Sequence, residues 1–207
     1  ILLSRSSAPV THEQKAAPAA AQEVPDEEEA ARVVPAAASR DQLPSWLAGA
    51  KSVIIIPGYG MAVSQAQEQV KALHDALEKG GRSVRFAIHP VAGRMPGHMN
   101  VLLAEVDIPY DKLYEMDEIN PDMASTDLVF VIGANDVVNP AANTAEGTPI
   151  YGLPVLNAQQ AKKLVICNFD GKPGYAGVDN PLYAPHPDVL LMFGDAKESL
   201  SEILNMI

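Results

Sequence analysis

Four apolar residues follow one another without a polar break at Val53-Ile54-Ile55-Ile56, and the chain then changes character to Pro57-Gly58-Tyr59-Gly60-Met61-Ala62-Val63. Such a run is the mark of a strand buried on both faces, as in a parallel sheet. Beyond the glycines the period becomes helical. Ala62, Ala66, Val70, Leu73 and Leu77 recur at steps of three or four, predicting one helix with an apolar stripe that Gly80-Gly81 stops. Ser83 to Ile88 reads as a second strand and His98 to about Val106 as a second helix. Asp127 to Ile132, ending at Gly133, is a third strong strand, and Lys163 to Cys167 and Val189 to Phe193 are two more. The last helix opens at Gly194-Asp195-Ala196-Lys197-Glu198, with Asp195 as N-cap, Glu198 three residues on, and Ala196, Leu200, Ile203 and Leu204 facing inward. Strands alternating with helices predict an α/β fold: a Rossmann-like, doubly wound, mainly parallel six-stranded sheet with helices on both faces. Ligands then belong at the carboxyl ends of the strands.

Composition divides the 207 residues into two parts. Residues 1–43 read as a flexible linker, because from Ser4 to about Leu43 the chain is rich in Ala, Pro, Glu and Ser and includes the acidic run Asp26-Glu27-Glu28-Glu29. So little apolar surface does not offset the entropy of ordering. Residues 44–207 read as the folded domain. The opening Ile1-Leu2-Leu3, without a methionine, suggests a fragment whose upstream part is missing, either the tail of a membrane helix or a cloning boundary. No remaining stretch reaches the roughly 20 apolar residues that span a bilayer, so the piece is expected to be soluble. The net charge of −11 argues against nucleic acid as a partner, since phosphates would be repelled. Much of the acidity lies in Glu105 to Asp127, where Lys112 is the only base, and reads as a solvated face or a docking surface. The single cysteine, Cys167, rules out an internal disulfide, suits a reducing compartment and reads as inert core.

The turn after the first strand, Gly-x-Gly-x-x-Val, is the pattern of a dinucleotide crevice, in which glycines let the turn close and a pyrophosphate approach a helix N-terminus. NAD sites of this kind place an acid at the end of the second strand to grip a ribose hydroxyl. Here that strand ends in Ile88-His89-Pro90, so either the ribose is phosphorylated or the nucleotide is held in another way. Three further loops, each after a strand, are rich in Gly, Pro, Asn and Asp: His89 to Asn100, Gly133 to Pro140 and Gly174 to Pro181. All three should open on one edge of the sheet.

These loops, in this order, resemble the NADP(H)-binding domain of proton-translocating NAD(P) transhydrogenase, from about Leu43 to the C-terminus. The likeness rests on Gly58-Tyr59-Gly60, His89 to Asn100, Pro109-Tyr110-Asp111, Met116-Asp117-Glu118-Ile119-Asn120, Gly133 to Pro140, Gly174 to Pro181 and Gly194-Asp195-Ala196-Lys197. The resemblance implies NADP(H) bound in an orientation reversed from the usual one. Gly58, Tyr59 and Gly60 would lie against the nucleotide. Val91, Ala92, Gly93, Arg94, Met95 and Pro96 would border its pyrophosphate and nicotinamide half. Gly133, Asn135, Asp136 and Val137 would form a further wall. Gly174, Tyr175, Ala176 and Gly177 would be a lid, and Asp195 and Ala196 the last contact. Asp111 matches an aspartate that the family associates with proton coupling, although it also suits a helix cap. Implied partners are an NAD(H)-binding domain and a membrane proton-channel domain ahead of the linker. The intact enzyme would be dimeric, with this domain on the cytoplasmic face of the inner membrane, or the matrix side if mitochondrial.

One departure stands out. Where the family typically has Lys-Arg-Ser after the fifth strand to grip the 2′-phosphate, this chain has Asn168-Phe169-Asp170, with Lys172 as a possible compensating cation. The expectation is weakened selectivity for NADP(H), with NAD(H) admitted or preferred. Transfer of a hydride from one nicotinamide to another needs no general base, and the sequence offers no convincing Ser-His-Asp or Cys-His set, metal-spaced cluster or Walker lysine. His89 oriented by Asp111 is the weak acid–base alternative. A stand-alone NAD(P)-dependent dehydrogenase and a nucleotide sensor remain as other readings.

Overall fold

In the computed structural model, which describes residues 36–207, the buried runs form β1 (Ser52–Pro57), β2 (Ser83–Ile88), β3 (Leu113–Glu115), β4 (Leu128–Ile132), β5 (Leu164–Asn168) and β6 (Val189–Phe193). They make one six-stranded sheet in the order β3-β2-β1-β4-β5-β6. Every pairing is parallel. β1 and β4 sit side by side at the centre although two strands separate them in sequence, so the chain reverses its direction of winding between them. This is the switch point at which open α/β sheets bind ligands.

Among the described residues seven α-helices accompany the strands: α1 (Leu43–Gly49), α2 (Tyr59–Ser64), α3 (Gln67–Lys79), α4 (His98–Glu105), α5 (Met116–Ile119), α6 (Ala141–Thr144) and α7 (Ala196–Leu204). One face of the sheet, carrying Val53, Ile55, Phe86 and Phe130, is covered by Val70, Leu73 and Leu77 of α3 and Leu200 and Ile203 of α7. The other face, with Ile54, Ile56, Val129 and Val131, packs against Ile119 of α5 and against Met123, Leu156 and Leu182. Met123 and Leu182 lie in 3-10 turns, so the second face is covered mainly by short turns.

The single helix expected from Ala62 to Leu77 is two. Gln65 adopts a left-handed φ of 54° and ends α2. The Ser64 hydroxyl donates to the Gly60 carbonyl at 2.9 Å, the back-bonding by which serine weakens a helix ladder. The stripe survives the break, with Ala66, Val70, Leu73 and Leu77 all buried. β3 lies within the acidic stretch at the sheet edge, with Leu113 and Tyr114 half-buried and Glu115 exposed. That stretch is partly neutralised: Arg85 pairs with Asp122 at 2.6 Å and Lys162 with Asp127 at 2.7 Å. Asp127 also accepts the Lys51 and Ser52 amides, and these bonds, with Lys162 foremost, hold its carboxyl well below the usual range.

The expected linker is described only in its last residues. There the Ala38 amide donates to the His186 carbonyl, Arg40 pairs with Glu202, and Leu43 is fully buried at the start of α1, so the packed domain begins before residue 44. The rest of the linker lies outside the described residues. Among the described residues no helix is long and apolar enough to cross a membrane. Cys167 is fully buried, and burial pushes its thiol up to about 12, so it carries no thiolate.

Candidate functional site

The switch point is built by backbone pressed on backbone. After β1 the Gly58 amide donates to the Ile132 carbonyl at 2.9 Å, and the Gly60 amide donates to the Gly133 carbonyl at 2.8 Å. A Cβ on Gly58 would lie 2.3 Å from the Gly133 oxygen, and one on Gly133 would lie 2.2 Å from the Met61 nitrogen. Gly133 alone of the three needs a left-handed backbone, at φ 67°. The sequence reading gave Gly58 and Gly60 a role in turn angles and an open approach to the helix N-terminus. Their role here is contact with the β4 loop, and both amides are already bonded.

Around this junction a groove of about 890 Å³ opens at the carboxyl ends of β1 and β4. Its lining brings together Gly58, Tyr59, Gly60, Val91, Ala92, Gly93, Arg94, Gly133, Asn135, Asp136, Val137, Gly174 and Tyr175 from four separate segments. Ala134 lines it too and was missed from the sequence, because alanine carries no chemical signal. A smaller hollow of about 190 Å³ shares Gly60, Gly133 and Asn135 with the groove and extends to Asn168, Phe169, Asp170 and Lys172 after β5. Met95, Pro96, Ala176, Gly177, Asp195 and Ala196 line neither. Asp195 instead caps α7, accepting the Lys197 amide at 2.8 Å, and Ala196 is buried behind it.

The loop after β2 is set by His89. Its ring is buried, with Nε2 2.6 Å from the Pro154 carbonyl and Nδ1 3.2 Å from the Val91 amide. A neutral ring that donates through Nε2 and accepts at Nδ1 satisfies both contacts, which leaves neither nitrogen for acid–base work. Burial holds its pKa below the ordinary value, opposed by the Pro154 bond. Further along, Gly93 at φ 89° leaves room for the His98 ring, whose Nδ1 accepts the Arg94 amide at 3.0 Å. Arg94 thereby reaches back across the groove, donating from Nε to the Tyr59 hydroxyl at 2.7 Å.

His89 carries a pH prediction. Below about pH 6.5 the unfolded chain binds a proton that the folded chain resists, so stability falls as pH drops through that value and is insensitive to this group above it. Thermal denaturation from pH 8 to pH 5 should show a declining midpoint, shifting by about 2–4 °C per kcal/mol of linkage. In His89→Gln the decline should be shallower.

The segment expected as a lid, Gly174 to Gly177, sits on the β4 loop. The Asp136 carboxylate accepts the Ala176 amide at 2.8 Å, and a Cβ on Gly174 would lie 2.4 Å from Asp136 Oδ1, which is buried without a partner. Two asparagines that precede prolines anchor both loops. Fully buried Asn139 accepts the Ala141 amide at 2.9 Å and donates to the Val178 and Asp179 carbonyls, while Asn180 donates to Asn135 Oδ1 at 3.1 Å. Sequence reasoning noted these loops but not these side chains; the signal was Asn-Pro at both places.

Asp111 stands apart. It is exposed, in a 3-10 turn just ahead of β3, and so lies towards the amino end of the sheet, away from the groove. It is not the orienter of His89, whose two nitrogens meet backbone groups.

Comparison with known proteins adds to this geometry. The family profile described as NAD(P) transhydrogenase beta subunit matches residues 3–206. The chain belongs to that family. Two curated Rhodospirillum rubrum relatives, both named NAD(P) transhydrogenase subunit beta, are 51% identical over 155 residues, covering 75% of this chain. The chain spans 33%, about a third, of the length of these beta-subunit relatives. Among solved structures, an exopolyphosphatase-related protein from Bacteroides fragilis aligns with 80% of this chain and 43% of its own, at TM-score 0.45 and 15% identity. Benzoylformate decarboxylase from Polynucleobacter necessarius aligns with 81% and 27%, at 0.47 and 18%. Neither likeness bears on the beta-subunit domain's function.

Proposed function

We propose that this beta-subunit domain holds a nicotinamide dinucleotide, NADP(H) by the pattern of its family, and presents the nicotinamide to NAD(H) carried on a partner domain. The supporting observation is the groove itself: about 890 Å³, at the switch point of a parallel sheet, lined by three of the predicted glycine-rich loops and the first turn. That volume lies in the upper part of the range of small-molecule sites. The glycine junction fastens the turn after β1 to the β4 loop at the centre of the groove, and the unpartnered Asp136 oxygen marks a polar wall beside the lid. These features fit the frame of a dinucleotide. A bound nicotinamide supplies the hydride chemistry, and the chain's own residues position it and keep water away. Arg94 and Tyr59 close one side of the groove, and Tyr175, fully exposed on the lid, covers another. Direct hydride transfer needs no proton carrier, and His89, with both nitrogens held by backbone groups, does not serve as one.

The remaining parts of this reading come from the family. They are an NAD(H)-binding partner, a membrane domain whose proton movement is coupled to the nucleotide, a dimeric assembly and a place on the cytoplasmic or matrix face of a membrane. Asp111 is retained as the coupling candidate, acting from a surface turn and not from the groove. The test is hydride exchange between NADH and an NADP analogue. Exchange should occur only when an NAD(H)-binding partner is added. Turnover of an alcohol or hydroxy acid by the domain alone would instead mark a dehydrogenase, and tight binding without exchange in any mixture would mark a sensor.

A further inference from the structure

The hollow beyond the groove is chemically unlike a phosphate site. It opens at the carboxyl end of β5, next to the glycine junction, and Phe169 stands 81% exposed on its wall. The groups around it accept hydrogen bonds. Asp170 is an anion, and Asn168 Oδ1 is buried with no partner among the described residues, while its amide nitrogen is committed to the Ala134 carbonyl at 2.9 Å and to the Tyr183 hydroxyl. Burial pushes Tyr183 up to about 12, so it brings no charge.

Among the described residues the one cation lining the hollow is Lys172, whose side chain is largely exposed and leans back towards Asp170 on the same loop. Its amide donates to Asp170 Oδ1 at 3.0 Å, and its ammonium lies 3.6 Å from Asp170 Oδ2. At that distance and exposure the ion pair is weak, but Asp170 keeps the hollow from carrying the net positive charge that would draw a phosphate. A doubly charged phosphate brings only acceptors to a place already supplied with them. A ribose diol brings two donors, and adenine brings a flat face for an exposed aromatic ring.

We propose that this hollow receives an adenosine ribose with its 2′- and 3′-hydroxyls free, with Asp170 and Asn168 Oδ1 as acceptors and Phe169 as the base platform, so that the domain accepts NAD(H) at least as well as NADP(H). The proposal rests on the dinucleotide reading above. It makes Asp170 the residue that decides selectivity.

The experiment is titration of NADH and of NADPH into the 207-residue chain, followed by nucleotide fluorescence or calorimetry. NADH is expected to bind at least as tightly as NADPH. Asp170→Asn should tighten NADPH by about tenfold or more, the worth of one charged interaction, without tightening NADH. Lys172→Met should weaken NADPH no more than NADH. A wild-type preference for NADPH of about a hundredfold or more, or a tenfold loss confined to NADPH in Lys172→Met, would overturn the proposal while leaving the dinucleotide reading intact. If neither nucleotide binds a chain whose circular dichroism shows it folded, the dinucleotide reading fails and this proposal falls with it.

Discussion

Replacing Gly133 with alanine is expected to cost the domain about 4 kcal/mol, the sum of two separable penalties. The first is conformational: at φ 67° an alanine is strained by about 1–2 kcal/mol. The second is steric, because the added carbon would lie 2.2 Å from the Met61 nitrogen and 2.5 Å from the Gly60 carbonyl carbon. Both neighbours are main chain and have no rotamer to move to. Against a net stability of about 5–15 kcal/mol, such a loss leaves a measurable unfolded fraction. Two companions separate the terms. Gly147→Ala, at φ 79° with nothing within 4 Å of the new carbon, should show the strain alone. Gly58→Ala, at an ordinary φ of −131° but 2.3 Å from the Gly133 oxygen, should show the clash alone. Denaturant midpoints for the three variants test the division. A Gly133→Ala protein as stable as Gly147→Ala would mean that the junction gives way at little cost.

The second large effect is expected at Asn139. Asn139→Leu keeps the volume but removes a bond to the Ala141 amide at 2.9 Å and two longer ones, at 3.3 Å, to the Val178 and Asp179 carbonyls. The Asn139 side chain and the Ala141 amide it holds are buried, so the abandoned amide finds no water. A loss of about 3 kcal/mol follows if one strong and two weak bonds are left unmade. The same bonds tie the β4 loop to the segment just after the lid, so nucleotide affinity should fall by about tenfold or more even below the melting temperature. Asn143→Ala, on an exposed position of α6, is the control and should change neither. Calorimetric melting and nucleotide titration on the same samples distinguish loosened loops from global unfolding.

The sequence made the central strands legible because β1 and β4 are buried on both faces and so write themselves as unbroken apolar runs. β3 did not show, since Leu113 to Glu115 is a three-residue edge inside an acidic stretch, two residues half-buried and one exposed, with no period to detect. The second face of the sheet was equally opaque: Met123 and Leu182 cover it from 3-10 turns too short to show an amphipathic stripe. Gln65 hid the helix break, because a left-handed glutamine has no sequence mark of its own.

The site was readable as a set of loops, since glycine and proline after a strand are conspicuous. Which residues in those loops meet was less so. Met95 and Pro96 share a loop with Arg94 yet line neither hollow, and Asp195 spends its carboxylate on a helix cap. The glycines of the first turn were located correctly and given an incomplete reason, because their partner, Gly133, lies far along the chain and only the folded sheet brings the two together.

That junction has a mechanical consequence. With the turn after β1 and the turn after β4 fastened main chain to main chain, the middle of the sheet has no slack with which to pivot. What freedom the groove has then belongs to its outlying segments, held by the Asp136 bond to Ala176 and by the Arg94 contact with Tyr59.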